Sequence, residues 1–431
     1  AIPNRWNPSL MCRETTAEEL QRISESLIKA ASIAKQSGAD GIILDGIYGG
    51  YFMDQYATRI FNSRKDEYGY GQNGQLKILL DAIKGAKTAC GENFPICTRV
   101  TPKHYMKAVG QSALPGEDFE EAGRDIDESI ELAKQIADAG ADAILIGDGS
   151  YDSFYWLYPP MYQKDGLWLE DAKKIHDAVD IPVICPGKIL TPDLANNAIK
   201  SGMVDAIALG RALLSDAEWT NKAKEGNDDE IRPCIGCETG CIGRIFVGQP
   251  LTCAVNPGIF NEKSDPITTA LIKKSVAVIG GGIAGMEAAR VAKIRGHNVA
   301  LYEKSDKLGG AILAAAVPDV KDADRRLLEW YKRSLKKLGV NINLNSNMNL
   351  EQIKLLQADE IVVAAGATPR IPPIKGLARE NAITAVDVLL GKKETGNNCV
   401  IIGGGQVGCE VAVWLKEKGK NVFVVFDDTM L

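Results

Sequence analysis

The sequence has no long run of basic residues and no apolar stretch long enough to cross a bilayer. The formal net charge of -6 argues against binding to nucleic acid or to an anionic membrane surface. A membrane-spanning helix needs about 20 consecutive apolar residues, and no secretory signal segment is visible either. These absences predict an ordinary soluble globular protein, and 431 residues suffice for two or three domains with sizeable cores.

The cysteines are not spaced as in a disulfide-stapled secreted domain. Six of the ten are scattered along the chain, and the other four fall within one short segment: Cys234, Cys237, Cys241 and Cys253. Disulfide frameworks belong to smaller domains with more evenly distributed cysteines. We therefore expect a reduced, cytoplasmic chain with one cofactor site at these four cysteines.

Helix and strand patterns alternate through the first half of the chain. Each unit has an amphipathic helix, a glycine that ends it, an aspartate and a short apolar run. Short apolar runs are typical of parallel strands that are buried on both faces. A capping box at Thr16 to Glu19 predicts where the first helix begins. The five predicted strands are 41–45, 94–100, 143–147, 181–185 and 206–210.

This alternation of helix and strand is typical of a (β/α)8 barrel or of a doubly wound sheet. A barrel needs eight strands, so we expect three more upstream of Ala1 and treat the chain as a fragment of a longer protein. The predicted fold class is α/β, with a partial TIM (β/α)8 barrel followed by a cysteine-bearing segment and a Rossmann-like nucleotide-binding module. The expected boundaries are 1–225, 226–273 and 274–431.

The four clustered cysteines have the spacing C-x2-C-x3-C-x11-C. Four thiolates can hold a structural zinc ion or an iron–sulfur cluster. Zinc ribbons usually pair two CxxC units, whereas uneven spacing with one distant ligand suits a [4Fe–4S] cluster better. Zinc, and four unrelated core cysteines, are the alternatives that the spacing leaves open.

Two strand–glycine turn–helix patterns fill the C-terminal part. In such motifs the glycines let the backbone approach a pyrophosphate at a helix N-terminus, and an acidic residue on the next strand binds a ribose diol. The first copy predicts an FAD site, with a purely structural turn as the alternative. Its residues are Gly280, Gly282, Gly285 and Glu303.

The second copy predicts a nicotinamide site at Gly403, Gly405 and Gly408. Its acid position holds Phe426, with Asp427 next to it. This departure from the motif leaves the choice between NADH and NADPH open.

Charged and hydroxyl side chains follow the predicted strands, and TIM barrels bind ligands at that end of the strands. Aromatic hydroxyls there can donate protons or cover a ring, although each taken singly is more often a packing residue. The glycine–cation pairs after the last two strands are suited to a phosphate group, with surface cations as the alternative. The residues are Tyr48, Tyr51, Arg99, Tyr151, Gly187, Lys188, Gly210 and Arg211.

Together these features resemble the flavin oxidoreductases in which an Old Yellow Enzyme-type barrel with FMN is followed by a [4Fe–4S] cluster and an FAD/NAD(P) module. That group includes 2-enoate reductase, 2,4-dienoyl-CoA reductase, trimethylamine dehydrogenase and the NAD-dependent bile-acid oxidoreductases. The resemblance covers essentially the whole chain. Its most specific marks are the cysteine spacing and the stretches 62–69 and 208–214.

The resemblance implies that Tyr51 is the catalytic tyrosine and that Arg99 contacts FMN. It also assigns the phosphate of FMN to the two glycine–cation pairs, with Lys188 where arginine is more usual. Tyr48, together with Asp45, stands where many relatives have a histidine pair. Tyr151 stands where dienoyl-CoA reductase has a second proton-transfer histidine, which argues against a dienoyl-CoA substrate.

The activity implied is that of an NAD(P)H-dependent ene-reductase acting on a 2-enoate or on a 3-oxo-Δ4 steroid or bile-acid type of substrate. Electrons would pass from NAD(P)H through FAD and the [4Fe–4S] cluster to FMN. The partner implied is a small unsaturated molecule, with no nucleic acid and no membrane, and a homo-oligomer is left open. The alternatives are 2,4-dienoyl-CoA reduction, amine oxidation as in trimethylamine dehydrogenase, and a non-catalytic electron-transfer subunit.

Overall fold

The computed structural model describes residues 2–4, 7, 9–71, 74–377 and 379–426. Asp427, which neighbours the acid position of the second glycine motif, lies outside these residues. The chain folds as two compact units, Ala1–Arg211 and Ala212–Leu431. The domain boundaries expected at 225 and 273 stay predictions.

A five-stranded parallel sheet forms the centre of the first unit, and two short antiparallel hairpins, β1–β2 and β5–β6, accompany it. The sheet order is β3-β4-β7-β8-β9, so each strand is added beside the previous one, as in the wall of a (β/α) barrel. The strands are β1 (Ile2–Pro3), β2 (Met11–Cys12), β3 (Ile42–Ile47), β4 (Ile96–Val100), β5 (Met106–Ala108), β6 (Gln111–Ser112), β7 (Ala143–Ile146), β8 (Val183–Cys185) and β9 (Ala206–Ile207).

Helices separate these strands in sequence. The predicted capping box is confirmed, because the Thr16 hydroxyl accepts the Glu19 N–H at 3.2 Å and the Glu19 carboxylate accepts the Thr16 N–H at 2.9 Å. The helices are α1 (Ala17–Gln36), α2 (Phe52–Tyr56), α3 (Lys77–Cys90), α4 (Ile126–Asp138), α5 (Phe154–Leu157), α6 (Leu169–His176) and α7 (Pro192–Lys200), with a 3-10 turn at Gly74–Leu76.

All five predicted strands are present and parallel, but the expected burial on both faces is wrong for β3. Leu44 and Ile47 are buried, whereas Ile43 is 61% exposed and Asp45 is also exposed. Successive side chains of a strand point to opposite faces of the sheet. The buried residues pack in one hydrophobic core with residues of the helices. The opposite face would be filled from all sides only in a closed eight-stranded barrel.

The second unit contains a four-stranded parallel sheet of order β12-β11-β10-β13 and a separate parallel pair, β14–β15. In chain order the larger sheet reads 3-2-1-4, which is the order of a Rossmann half, so the predicted nucleotide-binding fold is confirmed. The strands are β10 (Ser275–Ile279), β11 (Asn298–Tyr302), β12 (Asn341–Asn343), β13 (Glu360–Val363), β14 (Asn398–Ile402) and β15 (Asn421–Val425).

The remaining helices flank these strands or lie in the segment before them. Buried residues of α11 and α13 pack against β10 and β11 in one core. In the described part of the chain, no helix combines the length and the apolar content that crossing a membrane requires. The helices are α8 (Arg211–Ser215), α9 (Trp219–Lys224), α10 (Ile242–Phe246), α11 (Ile283–Ile294), α12 (Ile312–Ala315), α13 (Asp322–Leu338), α14 (Leu350–Leu355), α15 (Ala385–Leu389) and α16 (Gln406–Glu417), with 3-10 turns at Asp228–Glu230 and Asp319–Lys321.

Candidate active site and cofactor sites

The predicted tyrosines lie together at the carboxyl ends of β3 and β7. Tyr48 and Tyr51 belong to the loop after β3, and Tyr151 belongs to the loop after β7. The two loops are joined through their backbones, since Gly49 and Ser150 form a parallel bridge and the Tyr151 N–H donates to the Gly49 carbonyl at 3.0 Å. The strand order therefore brings together residues that are 100 positions apart in sequence.

The hydroxyl oxygens of Tyr51 and Tyr151 are 2.6 Å apart, and their rings meet edge to face with centroids 5.2 Å apart. Tyr158 also hydrogen-bonds Tyr151. The pKa values of Tyr51 and Tyr158 are raised above the usual tyrosine value. Burial is the larger cause, and the hydrogen bond with Tyr151 is the second. These phenols therefore keep their protons at neutral pH, and Tyr51, which is 40% exposed, can present its proton to a ligand.

Arg99, on β4, contacts both Asp45 of β3 and Tyr48 of the loop after it. Its guanidinium carbon lies 3.5 Å from the centre of the Tyr48 ring, and its Nη1 lies 3.4 Å from Asp45 Oδ1. Burial raises the pKa of Asp45 and of Tyr48, and the positive charge of Arg99 opposes both shifts. The structure thus brings Arg99 and the tyrosines to one end of the sheet, as predicted.

A buried polar network that the sequence analysis missed lies beneath the Tyr51 loop. It consists of Asp54, His104 and Arg124, none of which has exposed surface. Burial alone would raise the pKa of Asp54, but the Arg124 guanidinium and His104 outweigh it and hold the pKa well below its usual range. The one available signal was the scarcity of histidine, since the chain has only three.

Lys188 is not a surface cation, which removes one of the alternatives. It is 9% exposed and its backbone adopts φ 61°, in the left-handed region that residues other than glycine rarely enter. Its ammonium lies 3.2 Å from Asp165 Oδ1 and also donates to the Met161 and Gln163 carbonyls. The ammonium is therefore engaged within the loop that precedes α6, and its contact with a phosphate stays a prediction.

The other three proposed phosphate-binding positions lie as the strand pattern predicted, after β8 and β9. A Cβ atom at Gly187 would come within 2.9 Å of the Trp168 side chain, whereas one at Gly210 would meet no atom within 4 Å. Gly210 therefore borders open space. Arg211 begins α8.

The first glycine motif forms the expected turn between β10 and α11, but one glycine serves a different purpose from the one predicted. A Cβ atom at Gly285 would lie 1.8 Å from the Gly280 carbonyl oxygen, so this glycine permits the helix to pack against the turn. A Cβ atom at Gly282 would meet no atom closer than 3.9 Å, so this position has room beside a ligand. The approach of backbone to pyrophosphate is therefore expected at Gly282 rather than at Gly285.

The Glu303 carboxylate is bound to the same turn. It accepts the Gly281 N–H at 2.6 Å and both the N–H and the hydroxyl of Ser305 at 2.8 Å. Burial opposes ionisation of Glu303, but these hydrogen bonds outweigh it and lower its pKa. An ionised carboxylate is the form that accepts hydrogen bonds from a ribose diol.

The second motif repeats this geometry between β14 and α16. A Cβ atom at Gly408 would lie 1.9 Å from the Gly403 carbonyl oxygen, which matches the pair in the first motif. A Cβ atom at Gly404 would lie 2.8 Å from the Phe426 ring, as one at Gly281 would lie 3.0 Å from Glu303. Phe426 therefore occupies in the second motif the place of Glu303 in the first. Gly405 borders open space, with no atom within 4 Å of a Cβ there.

Among the described residues, no three side chains of His, Cys, Asp or Glu converge in a geometry that would hold a metal ion. The backbone around the cysteines nevertheless suits a cluster. Gly236 and Glu238 have left-handed φ values of 63° and 58°, and the Gly236 N–H donates to Cys234 Sγ at 3.4 Å. Such turned peptides, with N–H groups on sulfur, are found at iron–sulfur sites.

The distant fourth cysteine is tied to the other three through the backbone. The Thr252 N–H donates to the Gly240 carbonyl at 2.7 Å, and a Cβ atom at Gly240 would lie 2.8 Å from the Thr252 carbonyl. This close approach places the neighbours of these two residues, Cys241 and Cys253, on adjoining segments. All four cysteines are partly buried.

Comparison with known proteins covers nearly the whole chain. Residues 4–230 match the family model described as NADH:flavin oxidoreductase / NADH oxidase family, and residues 274–429 match the one described as pyridine nucleotide-disulphide oxidoreductase. The chain is 46% identical over 424 residues to cinnamate reductase of Clostridium sporogenes, covering 98% of this chain and 64% of that protein. It is 37% identical over 423 residues to NADH oxidase of Thermoanaerobacter brockii, covering 96% and 62%.

A solved structure of 2-naphthoyl-CoA reductase with 2-naphthoyl-CoA matches with a TM-score of 0.87 and 30% identity, covering 96% of this chain and 61% of that one. The α/β fold with a barrel-type sheet and a nucleotide-binding module is thereby supported along nearly the whole chain. The chain spans about three-fifths of the length of these relatives.

Proposed function

Because the chain belongs to the NADH:flavin oxidoreductase / NADH oxidase family, we propose that it is part of a flavin enzyme that reduces an activated C=C bond with electrons from NAD(P)H. The observation that carries this proposal is the pair of hydrogen-bonded phenols, Tyr51 and Tyr151, at the carboxyl ends of the parallel strands. A pure electron carrier needs no proton donors, whereas reduction of C=C requires one proton for each hydride.

We assign the cofactors to the residues that the sequence predicted. FMN is held in the first unit and FAD and NAD(P)H in the second, and the four cysteines carry a [4Fe–4S] cluster, for which their turned backbone is suited. When bound, these groups relay electrons from NAD(P)H and supply the hydride that adds to the substrate β-carbon. The FMN residues are Arg99, Gly187, Lys188, Gly210 and Arg211; those for FAD are Gly280, Gly282, Gly285 and Glu303; those for NAD(P)H are Gly403, Gly405 and Gly408.

The protein residues supply the proton and the alignment. Addition of hydride to the β-carbon leaves negative charge on the α-carbon and its carbonyl, and Tyr51 Oη donates a proton to the α-carbon. Tyr151, 2.6 Å away, returns a proton to Tyr51 through their hydrogen bond, and a proton from solvent restores Tyr151. The product gains one hydride and one proton, and NAD(P)H becomes NAD(P)+.

The substrate class that we favour is a 2-enoate with an aryl group, rather than the 3-oxo-Δ4 steroid or bile-acid type. The side chains beside the phenols are aromatic. The centroid of the Phe154 ring lies 4.8 Å from that of Tyr158 and 6.2 Å from that of Tyr151, and Phe154 is 36% exposed. An aryl ring can pack against such faces. The 46% identity to a cinnamate reductase supports the same class.

A substrate screen with anaerobically reconstituted protein tests the proposal. We expect NAD(P)H-dependent formation of the saturated acid from trans-cinnamate, with one NAD(P)H consumed per product molecule. Reduction of a dye by an amine substrate, without reduction of any enoate, would instead assign the protein to amine oxidation.

A further inference from the structure

The peptide groups that lead into Tyr51 are fixed by two side chains of α2. Asp54 Oδ2 accepts the Gly50 N–H at 2.6 Å, and Gln55 Nε2 donates to the Gly50 carbonyl at 3.0 Å. Gly50 has φ 80°, so the chain takes a left-handed turn immediately before Tyr51. The position of the Tyr51 phenol therefore depends on where the Asp54 carboxylate is held.

The ring of His104 holds that carboxylate. His104 Nδ1 accepts the backbone N–H of Arg124 at 3.1 Å, so this nitrogen carries no proton. The ring proton is consequently on Nε2, which lies 3.0 Å from Asp54 Oδ2 and donates to it. The Arg124 guanidinium contacts the other carboxylate oxygen at 2.7 Å, which balances the buried charge.

Arg124 ties this network to the ends of the strands. Its Nη2 donates to the Ile47 carbonyl at 3.1 Å and to the Thr101 carbonyl at 3.0 Å. Ile47 is the last residue of β3, and Thr101 follows β4 directly. The carboxylate of Asp54 is therefore held relative to the sheet and not only relative to its own loop.

The backbone of His104 reaches the other tyrosine loop. The Ser153 hydroxyl donates to the His104 carbonyl, and Ser153 Oγ accepts the Ser150 N–H at 2.8 Å. Ser150 immediately precedes Tyr151. His104 is thus bonded through its ring to the loop of Tyr51 and through its carbonyl to the loop of Tyr151.

We propose that His104 is a positioning residue that fixes the separation of the Tyr51 and Tyr151 hydroxyls, and so aligns the proton donor with its substrate. The proposal rests on the proposed function, in which Tyr51 gives the proton. His104 acts through Asp54 on one side and Ser153 on the other. A misplacement of about 1 Å in a reacting group can cost about 100-fold in rate.

Two substitutions of His104 distinguish the hydrogen bond made by Nε2 from the one made by Nδ1. His104→Gln places an amide near Nε2, which keeps a donor for Asp54. His104→Asn places its amide near Nδ1 and leaves Asp54 without that donor. We expect His104→Asn to slow reduction of trans-cinnamate by the pre-reduced enzyme about 10- to 100-fold and His104→Gln to restore most of the loss. Flavin reduction by NAD(P)H should be unchanged in both. His176→Asn, at the end of α6, is the matched control and should change neither rate.

A double-variant cycle distinguishes positioning from general loss of structure. If His104 acts through Tyr51, His104→Asn should add no further slowing in a Tyr51→Phe background. Ser153→Ala is a smaller change and should behave in the same way if His104→Asn fails to fold. The proposal would be overturned if His104→Asn or Ser153→Ala slowed the reaction equally in the wild-type and in the Tyr51→Phe background. It would also be overturned if both single variants reduced the substrate at the wild-type rate.

Fluorotyrosine labelling gives a readout that needs no activity. The 19F resonance of Tyr51, assigned by its loss in Tyr51→Phe, should shift in His104→Asn and in Ser153→Ala but not in His176→Asn. An unshifted resonance overturns the positioning role even in an active enzyme. Shifted resonances in a protein that reduces no enoate would support the positioning of the tyrosines and reject the proposed function.

Discussion

The hydroxyl oxygens of Tyr51 and Tyr151 share one hydrogen bond of 2.6 Å. Either oxygen can be the donor, so a single proton lies between the two residues and one phenol hydrogen remains for another acceptor. Tyr51 is the more suitable of the two to offer that hydrogen to a substrate, because its side chain is 40% exposed whereas Tyr151 also hydrogen-bonds Tyr158. The predictions on catalysis follow from this arrangement.

Tyr51→Phe should slow the reduction of substrate by about 10²- to 10⁴-fold, which is the usual contribution of a general acid. Flavin reduction by NAD(P)H should keep its wild-type rate, because the nicotinamide motif belongs to the second unit. Stopped-flow measurement of the two half-reactions separates the effects. Tyr68→Phe, which removes a hydroxyl from a residue packed with Leu20 and Ile78, is the control. A wild-type rate of substrate reduction in Tyr51→Phe would transfer the role to Tyr151 or Tyr48.

The pH dependence of substrate reduction should reflect the raised pKa of Tyr51. An ordinary tyrosine loses its proton near pH 10, and burial together with the Tyr151 hydrogen bond moves this loss to higher pH. The rate should therefore show no fall caused by donor ionisation up to about pH 10. Tyr151→Phe removes one of the two causes and should bring the fall to lower pH. A wild-type profile that falls with a midpoint near neutrality would identify a different proton donor.

Local signals in the sequence were sufficient for most of the fold. The capping box at Thr16, the five short apolar runs and the two glycine turns each depend on residues close in sequence, and all of them form the predicted elements. The exposed face of β3 was not predictable in this way, because a residue such as Ile43 has the same apolar character whether or not the opposite face of the sheet is covered.

Residues of the candidate site were predictable only where they lie at or shortly after the end of a predicted strand. Tyr48, Tyr51, Tyr151 and Arg99 were placed together because the carboxyl ends of parallel strands meet at one edge. The bond between Asp54 and His104 joins residues 50 positions apart, and neither residue is part of a motif. The left-handed backbone of Lys188 and the contact of its ammonium with the Met161 carbonyl likewise leave no mark in the sequence.

Gly285→Ala and Gly408→Ala should each disable one nucleotide site and spare the other. In both cases the new Cβ atom would lie less than 2 Å from the carbonyl oxygen of the first glycine of its motif, at 1.8 Å and 1.9 Å, so the helix and the turn must separate. Gly285→Ala should release FAD and retain FMN. Gly408→Ala should retain both flavins and lose reduction by NAD(P)H. Flavin release followed by chromatography, together with NAD(P)H titration, measures both.

Gly396→Ala is the control for these two variants, because a Cβ atom there meets no atom within 4 Å and the residue has no left-handed φ. It should leave both flavins and the use of NAD(P)H unchanged. Retention of FAD at wild-type affinity in Gly285→Ala would show that the first motif is a structural turn.

Cys237→Ala should remove the iron and the acid-labile sulfide of the anaerobically purified protein while leaving FAD bound. The reason is that Cys237 lies in the loop formed by the left-handed turns at Gly236 and Glu238, whereas the FAD turn is built from β10 and α11. Cys409→Ala is the matched control, since this partly buried thiol lies in α16 and should leave iron, sulfide and FAD unchanged. Metal and sulfide analysis distinguishes the two centres that four thiolates can hold, a zinc ion or an iron–sulfur cluster. One zinc ion and no sulfide in the unsubstituted protein would reject the iron–sulfur cluster, and with it the relay of single electrons from FAD to FMN.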